Sequence, residues 1–232
     1  MTALTVGVES AMFIGHFALG FAAKRIAPRV PLSLLFIAAQ FADILWPILV
    51  AAGVEVVRID PGNTAVTPLD FVSYPYSHSL LFLLLWALLL SFAYRYSKHD
   101  WRGSAVLLGL VLSHWLLDFL THRPDMPLYP NSARLGLGLW NSVPGTLIVE
   151  FALYGFGLWV YVRSTEPRDK LGRWGLWGLA GFLAVAYIGA LSGAPPSVAA
   201  IWISGIAGAA IILAWSHWVD RHRAIRFPRF RA

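Results

Sequence analysis

The sequence contains no cysteine and has few charged residues. Of its 232 residues, 58% are hydrophobic and 13% are charged, whereas soluble domains carry about 25% charged residues. The absence of cysteine excludes disulfides and thiolate metal sites, so a metal ion could be held only by histidine, carboxylate, backbone or water. The shortage of charge, together with 11 tryptophans, disfavours a soluble protein and indicates a membrane protein.

Long apolar runs predict an all-α, polytopic membrane bundle. A spanning helix needs about 20 mostly apolar residues, and seven such runs occur. No basic segment precedes the first run, so we expect it to be retained rather than cleaved as a signal peptide. We expect one transmembrane domain over residues 1–232, with the metal-site portion at about 12–150, C-terminal helices at about 172–219 and a basic cytoplasmic tail at 220–232. The predicted spans are residues 6–23, 31–53, 77–97, 103–121, 143–162, 172–191 and 197–219.

The basic residues predict how the chain is oriented in the membrane. If the amino terminus lies outside, 15 of the 18 lysines and arginines fall on the inner side, which predicts an N-out, C-in topology. We therefore interpret the net charge of +6 as a topology signal and a contact for anionic headgroups, and we expect no nucleic-acid partner. Four tryptophans near span ends are expected to be interface anchors, as is Asp220 together with Arg221 and Arg223. The tryptophans are Trp46, Trp101, Trp140 and Trp174.

Ionisable residues interrupt five of the apolar spans. A carboxylate at a helix centre costs about 2.5–3.5 kcal/mol on the insertion scale, so such residues persist when they are paired, protonated, hydrated or metal-bound. With the predicted topology these groups share one depth, in the outer half of the membrane. The shared depth predicts a single site formed by His16, Asp43, His78, His114, Asp118 and Glu150.

Three of the polar residues, His114, Asp118 and His122, are spaced four apart on one span. Side chains at i and i+4 lie on one helix face, about 6 Å apart along the axis. His114 and Asp118 could therefore bind one ion, or form only a hydrogen bond. His122 lies about 12 Å along the axis from His114, where a second metal, proton transfer or substrate binding fits better than the same ion.

Four short stretches in order carry a resemblance: "GHFALG", "AQFADILWP", "YSHSL" and "SHWLLDFLTH". The pattern resembles a bacterial family of inner-membrane metal-dependent hydrolases that is grouped with zinc-dependent phospholipase C and P1-type nucleases. The resemblance covers about residues 12–125 and implies a multi-pass protein of the inner membrane. Two departures are that Pro47 follows the aspartate instead of preceding it and that no basic residue precedes His78. The implied metal ligands are His16, Asp43, His78, His114 and Asp118.

The predicted function is metal-dependent hydrolysis in the outer half of the membrane. Five ligands exceed the three of a single catalytic zinc site, so one or two divalent ions, zinc above all, are expected. We assign Glu150 as general base or additional ligand and His122 as general acid. Membrane lipid would supply the substrate, an ester or phosphodiester. The alternatives are a transporter or channel that uses the same residues as an ion or proton relay, a haem protein with two histidine ligands, and a membrane protein that binds metal only for stability.

Overall fold

The fold is built mainly from helices, with three short two-stranded antiparallel sheets among the described residues. The structure is a computed structural model and describes residues 14–226. Its helices are α1 (Ile14–Ile26), α2 (Leu32–Ala39), α3 (Phe41–Ala51), α4 (Pro75–His78), α5 (Leu80–Lys98), α6 (Trp101–Thr121), α7 (Val143–Ser164), α8 (Lys170–Ala190) and α9 (Val198–Arg221), with a 3-10 turn at Leu139–Asn141. Its strands are β1 (Val56–Ile59), β2 (Leu69–Ser73), β3 (Met126–Pro127), β4 (Arg134–Leu135), β5 (Thr165–Pro167) and β6 (Arg223–Ile225).

The predicted polytopic helical bundle is confirmed. Helices α5 to α9 are each long and apolar enough to cross a membrane, and α2 with α3 gives a sixth span if the bent pair counts as one. The first predicted span, residues 6–23, lies only partly within the described residues, where α1 has 13 residues. Residues 227–232 of the predicted tail also lie outside the described range.

The predicted span 31–53 is not one continuous helix. It bends by 64° between α2 and α3, at Gln40, although neither glycine nor proline marks the position. In a continuous helix the Ala39 carbonyl would accept from the Asp43 N–H. Here the Ala39 carbonyl oxygen instead lies 2.9 Å from Nδ1 of His114. Irregular backbone is tolerated at membrane depth where protein buries it, so the break is a product of tertiary contacts that no local sequence signal announces.

A side-chain cap fixes the start of each long helix. A serine or aspartate oxygen accepts a backbone N–H of the first turn, which satisfies one of the donors that a helix start leaves unpaired. This is why the helices begin where the polar loops end. The capping residues are Ser79, Asp100, Ser142, Asp169 and Ser197.

Helix α1 lies at the centre of the bundle, in contact with α2, α6 and α7. Its backbone approaches α7 so closely that a Cβ at Gly157 would lie 2.2 Å from the Ala18 carbonyl oxygen. A glycine is therefore required at this contact. His16, two residues before Ala18 on the same helix, is positioned by this close packing.

The two ends of the bundle differ in character. Four of the segments predicted to share the inner side meet at one end, where Lys24, Arg25, Arg102, Arg163 and Arg226 line one cavity. The hairpins β1–β2 and β3–β4 are antiparallel and belong to segments predicted to lie on the other side. Which end faces the cytoplasm stays a prediction.

Three predicted interface anchors are wrong. Trp46 and Trp140 are only 3% and 5% exposed, because both rings pack against Phe71. Asp220 instead forms an ion pair with Lys24, with 2.8 Å between Oδ2 and Nζ. The polar atoms of these residues are held inside the protein and do not anchor it at the membrane surface.

Candidate metal centre

All five predicted ligand side chains converge on one buried position. They form two overlapping groups, in each of which the ligand atoms lie within 4.8 Å of one another. The three histidines and Asp118 are buried, whereas the Asp43 side chain is partly exposed. Five side chains from α1, α3, α4 and α6 thus meet, although metal binding itself stays a prediction. The groups are His16, His114 and Asp118, and Asp43, His78 and His114.

Asp118 lies between the three histidines. Its Oδ1 is 3.1 Å from Nε2 of His16, and its Oδ2 is 3.1 Å from Nε2 of His114 and 3.8 Å from Nε2 of His78. Asp43 approaches the same centre from α3, with Oδ1 3.4 Å from Nε2 of His78 and 3.7 Å from Nε2 of His114. Every histidine therefore presents Nε2 to a carboxylate oxygen.

The broken helix fixes the orientation of the His114 ring. The Ala39 carbonyl can only accept a hydrogen bond, so Nδ1 of His114 donates to it over 2.9 Å. In the neutral imidazole, Nε2 then carries a lone pair and no hydrogen, and it is this atom that faces Asp43 and Asp118. The His16 ring stacks on the His114 ring, with centroids 3.9 Å apart, which holds the two imidazoles in register.

A hydrogen-bond chain holds His78 in the same tautomer. The Ser77 hydroxyl donates to Oε2 of Glu55 over 2.6 Å and lies 2.6 Å from Nδ1 of His78. Because its only hydrogen is used, the hydroxyl accepts from His78. Oε1 of Glu55 accepts the N–H groups of Tyr76 and Ser77. Such carboxylate-supported histidines are typical of metal sites.

Glu150 lies next to the cluster but outside both ligand groups. Its Oε2 accepts the Gly15 N–H over 2.9 Å, in the first turn of α1. Its Oε1 is buried and has no hydrogen-bond partner among the described residues. The predicted role as general base or additional ligand is not tested by this geometry, which shows contact with the backbone next to His16.

His122 ends α6 in a buried aromatic pocket. Nδ1 donates to Oδ1 of Asp125 over 2.9 Å, and the same oxygen accepts the Tyr74 hydroxyl over 3.0 Å. Burial and the Asp125 charge raise the pKa of Tyr74 well above its usual range, so this hydroxyl remains a donor. The Trp140 ring lies 4.1 Å from the His122 ring. Among the described residues His122 belongs to neither ligand group, and it is buried at the end of α6, so its predicted role as general acid stays a prediction.

The Tyr74 ring connects the two histidine environments. Its centroid is 5.0 Å from that of His78 and 6.2 Å from that of His122. A single aromatic ring therefore separates the His122–Asp125 pair from the ligand cluster. Contact of this kind places an acid–base pair near the cluster without making it a ligand.

Gln40, at the helix break, lines a narrow crevice that reaches Asp43. The crevice has a volume of about 20 Å³, which is room for one water molecule. Both amide atoms of Gln40 are buried without a hydrogen-bond partner within the described part of the chain. The remaining walls come from α1, α2, α3 and α9, and are apolar: Phe17, Phe36, Ile44, Gly205, Ala209, Ile212 and Leu213.

The sequence interpretation did not single out Glu55, Ser77, Asp125, Tyr74 or Gln40. Glu55 opens a polar stretch that was treated only as a break between spans, and Asp125 follows His122 by three residues. The available signal was their position: each carboxylate lies just after a predicted span that carries candidate ligands. Gln40 offered a signal of its own, because a lone side-chain amide within an apolar run requires a hydrogen-bond partner or a ligand.

A comparison with family models decides the membership of the chain. The model of the YdjM inner membrane protein matches residues 11–194, which includes every ligand candidate. The chain belongs to the YdjM inner membrane protein family. It is a multi-pass membrane protein of the inner membrane, consistent with the apolar helices. No curated protein and no solved structure matches the chain.

Membership in the YdjM family corrects the resemblance drawn from short motifs. The family model that matches is not that of hydrolases grouped with zinc-dependent phospholipase C and P1-type nucleases, so that assignment is wrong and only its inner-membrane part stands. The physical reason is that a histidine and an aspartate one turn apart form a useful pair in many helices. Only the fourth stretch contains such a pair, and each of the other three contains a single histidine or aspartate, which is too little to specify a family.

Proposed function

We propose that this YdjM-family protein is a membrane-embedded metal-dependent hydrolase acting on a lipid ester or phosphodiester. The observation that carries the proposal is the buried convergence of three imidazole Nε2 atoms on two carboxylates. Histidine and carboxylate are the ligands that zinc takes in catalytic sites. Their arrangement on four separate helices is costly unless something is bound between them.

The unpartnered polar atoms of the cluster favour a cation. Nε2 of His114 and Oδ2 of Asp118 are buried, face each other over 3.1 Å and have no other hydrogen-bond partner within residues 14–226. Both atoms carry lone pairs, and buried acceptors without partners are rare in folded proteins. A divalent cation would satisfy both at once.

The tautomer of His114 limits how many ions the cluster can hold. Its Nδ1 is engaged by Ala39, so one lone pair on Nε2 remains, and His114 joins only one of the two ligand groups at a time. One ion would take its ligands from the five side chains. A second ion would have to share Asp118, whose two oxygens face different histidines.

Catalysis would combine a metal ion with the residues around it. The ion would polarise a phosphoryl or carbonyl oxygen and lower the pKa of bound water. His122, oriented by Asp125, is proposed to transfer a proton to the leaving group, as in other oriented histidine–carboxylate pairs. Glu150 is proposed as a positioning residue, because it holds the first turn of α1 next to His16.

The crevice at Gln40 supports a lipid as the substrate. Apolar side chains line it and Asp43 lies along it. Because its volume of about 20 Å³ holds only a water molecule, an acyl chain would have to part these apolar walls for the polar group to reach the cluster. The unpartnered Gln40 amide offers one donor and one acceptor group to an ester or phosphodiester. A bulk water-soluble substrate would gain nothing from such walls.

Hydrolysis can be tested with metal-loaded protein in detergent and labelled phospholipids or bis-nitrophenyl phosphate. We expect turnover that is lost in His114→Ala and falls by about 10²–10⁴-fold in His122→Gln. Gln40→Leu should raise KM for the lipid more than it lowers kcat, whereas Ser113→Ala on the same helix as His114 should behave as wild type. Metal-bound protein that hydrolyses none of these compounds would contradict the proposal.

A transporter of divalent ions is a second candidate, favoured by the bend between α2 and α3. Broken helices next to an intramembrane binding site are typical of secondary transporters, and here the break supplies the carbonyl that orients His114. Uptake of zinc into proteoliposomes distinguishes the two. Uptake lost in Asp43→Asn, without hydrolysis, would replace the hydrolase by a transporter.

A further inference from the structure

A second polar site lies at the basic end of the bundle, far from the candidate metal centre. It is a cavity of about 570 Å³ whose walls include Lys24, Arg25, Arg102, Arg163 and Arg226. Along α6, Arg102 and Asp118 are separated by about 24 Å. The cavity is therefore distinct from the cluster to which hydrolysis is assigned.

Among the residues that the structure describes, three of the five cations have no carboxylate to neutralise them. Lys24 pairs with Asp220 at 2.8 Å, and Arg226 with Glu166 at 3.5 Å. Within residues 14–226, no carboxylate lies within 4.0 Å of the guanidinium groups of Arg25, Arg102 or Arg163. No acidic residue of this described range lines the cavity either. Positive groups that face one cavity repel each other unless an anion lies between them.

The position of the three arginines favours an anion at the membrane surface. Arg25 lies in the last turn of α1 and Arg163 in the last turn of α7, whereas Arg102 lies in the first turn of α6. Helix ends of membrane spans lie at the level of the lipid headgroups. Ile26, which is 51% exposed, also lines the cavity and offers an apolar contact next to the guanidinium groups.

We propose that this cavity binds the phosphate of an anionic phospholipid headgroup. Arginine forms paired hydrogen bonds with phosphate, and basic pockets between membrane helices suit anionic headgroups. Three uncompensated guanidinium groups match a headgroup with two phosphates better than one with a single phosphate. The site does not depend on the proposed hydrolysis, since it shares no residue with the metal centre.

Binding can be measured by native mass spectrometry of the full chain released from detergent that contains cardiolipin, phosphatidylglycerol or phosphatidylethanolamine. The test variant is Arg25→Gln/Arg102→Gln/Arg163→Gln. The matched control is Arg95→Gln/Lys98→Gln/Arg168→Gln, which removes the same charge at the same end from exposed residues outside the cavity. Circular dichroism of both variants checks that each is folded.

We expect wild type to retain cardiolipin most strongly and phosphatidylethanolamine least. Affinity for cardiolipin should fall by about fivefold for each arginine removed in the test variant, while the control should stay within twofold of wild type. An equal loss in the control would overturn the proposal, because the attraction would then come from the general charge of that surface. Displacement of cardiolipin by inorganic phosphate at equal concentration would overturn the proposal of a lipid ligand and would identify the cavity as a site for free phosphate.

Discussion

His78 is held in the cluster from outside, through Ser77 and Glu55. The chain of hydrogen bonds runs from Nδ1 of His78 to the Ser77 hydroxyl and on to the Glu55 carboxylate. Glu55 in turn is fixed by two backbone N–H groups. An imidazole ring supported in this way cannot rotate without breaking the hydrogen bonds of this chain.

Removal of the Ser77 hydroxyl should therefore weaken metal binding without removing a ligand. Outer partners of ligating histidines typically contribute 10–100-fold to metal affinity, and we expect a loss of about that size for zinc in Ser77→Ala, measured by competition with a chelating dye. The control is Ser91→Ala, a buried serine that bonds to Ser104 near the other end of α5. Equal affinities of Ser77→Ala and wild type would show that the chain does not support the ligand.

At the residue scale, the sequence predicted the ligand types but not their supports. His114 and Asp118 could be recognised because the helix period places i and i+4 on one face. The partners of His78 could not, because Glu55 belongs to the polar loop after α3. No periodic rule relates a loop residue to a helix that begins 20 residues later along the chain.

Helix α1 is held against α7 by a contact that only glycine allows. A methyl group at Gly157 would meet the Ala18 backbone, so Gly157→Ala should displace α1 and with it His16. Overpacking of this kind costs about 1–3 kcal/mol. We expect a lower unfolding temperature in detergent and weaker zinc binding.

Gly155 supplies the matched control on the same helix. A Cβ at that position meets nothing within 4 Å, so Gly155→Ala should leave both zinc affinity and the unfolding temperature at or slightly above the wild-type values. If the two variants behave alike, helix propensity and not the α1–α7 contact determines the effect.

At the element scale, five spans could be drawn from apolar length alone, and their starts follow from capping residues. The broken span could not be predicted in this way. At its bend the Ala39 carbonyl accepts a hydrogen bond from His114, a residue 75 positions away. Long-range hydrogen bonds of this kind leave no trace in local composition, so residues 31–53 looked like an ordinary continuous helix.

The basic end of the bundle contains a buried ion pair that joins the first and last described helices. Nζ of Lys24 donates to Asp220 over 2.8 Å and to the Val30 carbonyl over 2.9 Å. Loss of one partner of a buried pair costs about 3–5 kcal/mol, because the remaining charge is uncompensated. Asp220 keeps some exposure, so Lys24→Met should fall near the lower end of that range.

The unfolding temperature of Lys24→Met in detergent checks this expectation. Lys98→Met removes the same charge from an exposed position at the same end and should have the same unfolding temperature as wild type. A Lys24→Met protein as stable as wild type would mean that the Leu32 N–H and the Tyr161 hydroxyl are enough to satisfy Asp220.

At the scale of the whole molecule, composition and charge distribution were enough to predict a polytopic membrane bundle and the segments that share an end. The family could not be read from short motifs, because three of the four contain a single histidine or aspartate and the fourth contains an i, i+4 pair of a kind that many helices share. The convergence of the five ligand candidates could be predicted only by comparing their depths in several spans. The lengths of the apolar runs made that comparison possible.

Metal content is the measurement that tests the central claim most directly. The full chain, purified with His114→Ala, Asp118→Ala and the exposed-residue control His99→Ala, would be analysed by inductively coupled plasma mass spectrometry, with circular dichroism to check folding. We predict one or two divalent ions per chain in wild type and control, and loss of metal in both ligand variants. A folded wild type without metal, or a His114→Ala protein that retains all of it, would contradict the account.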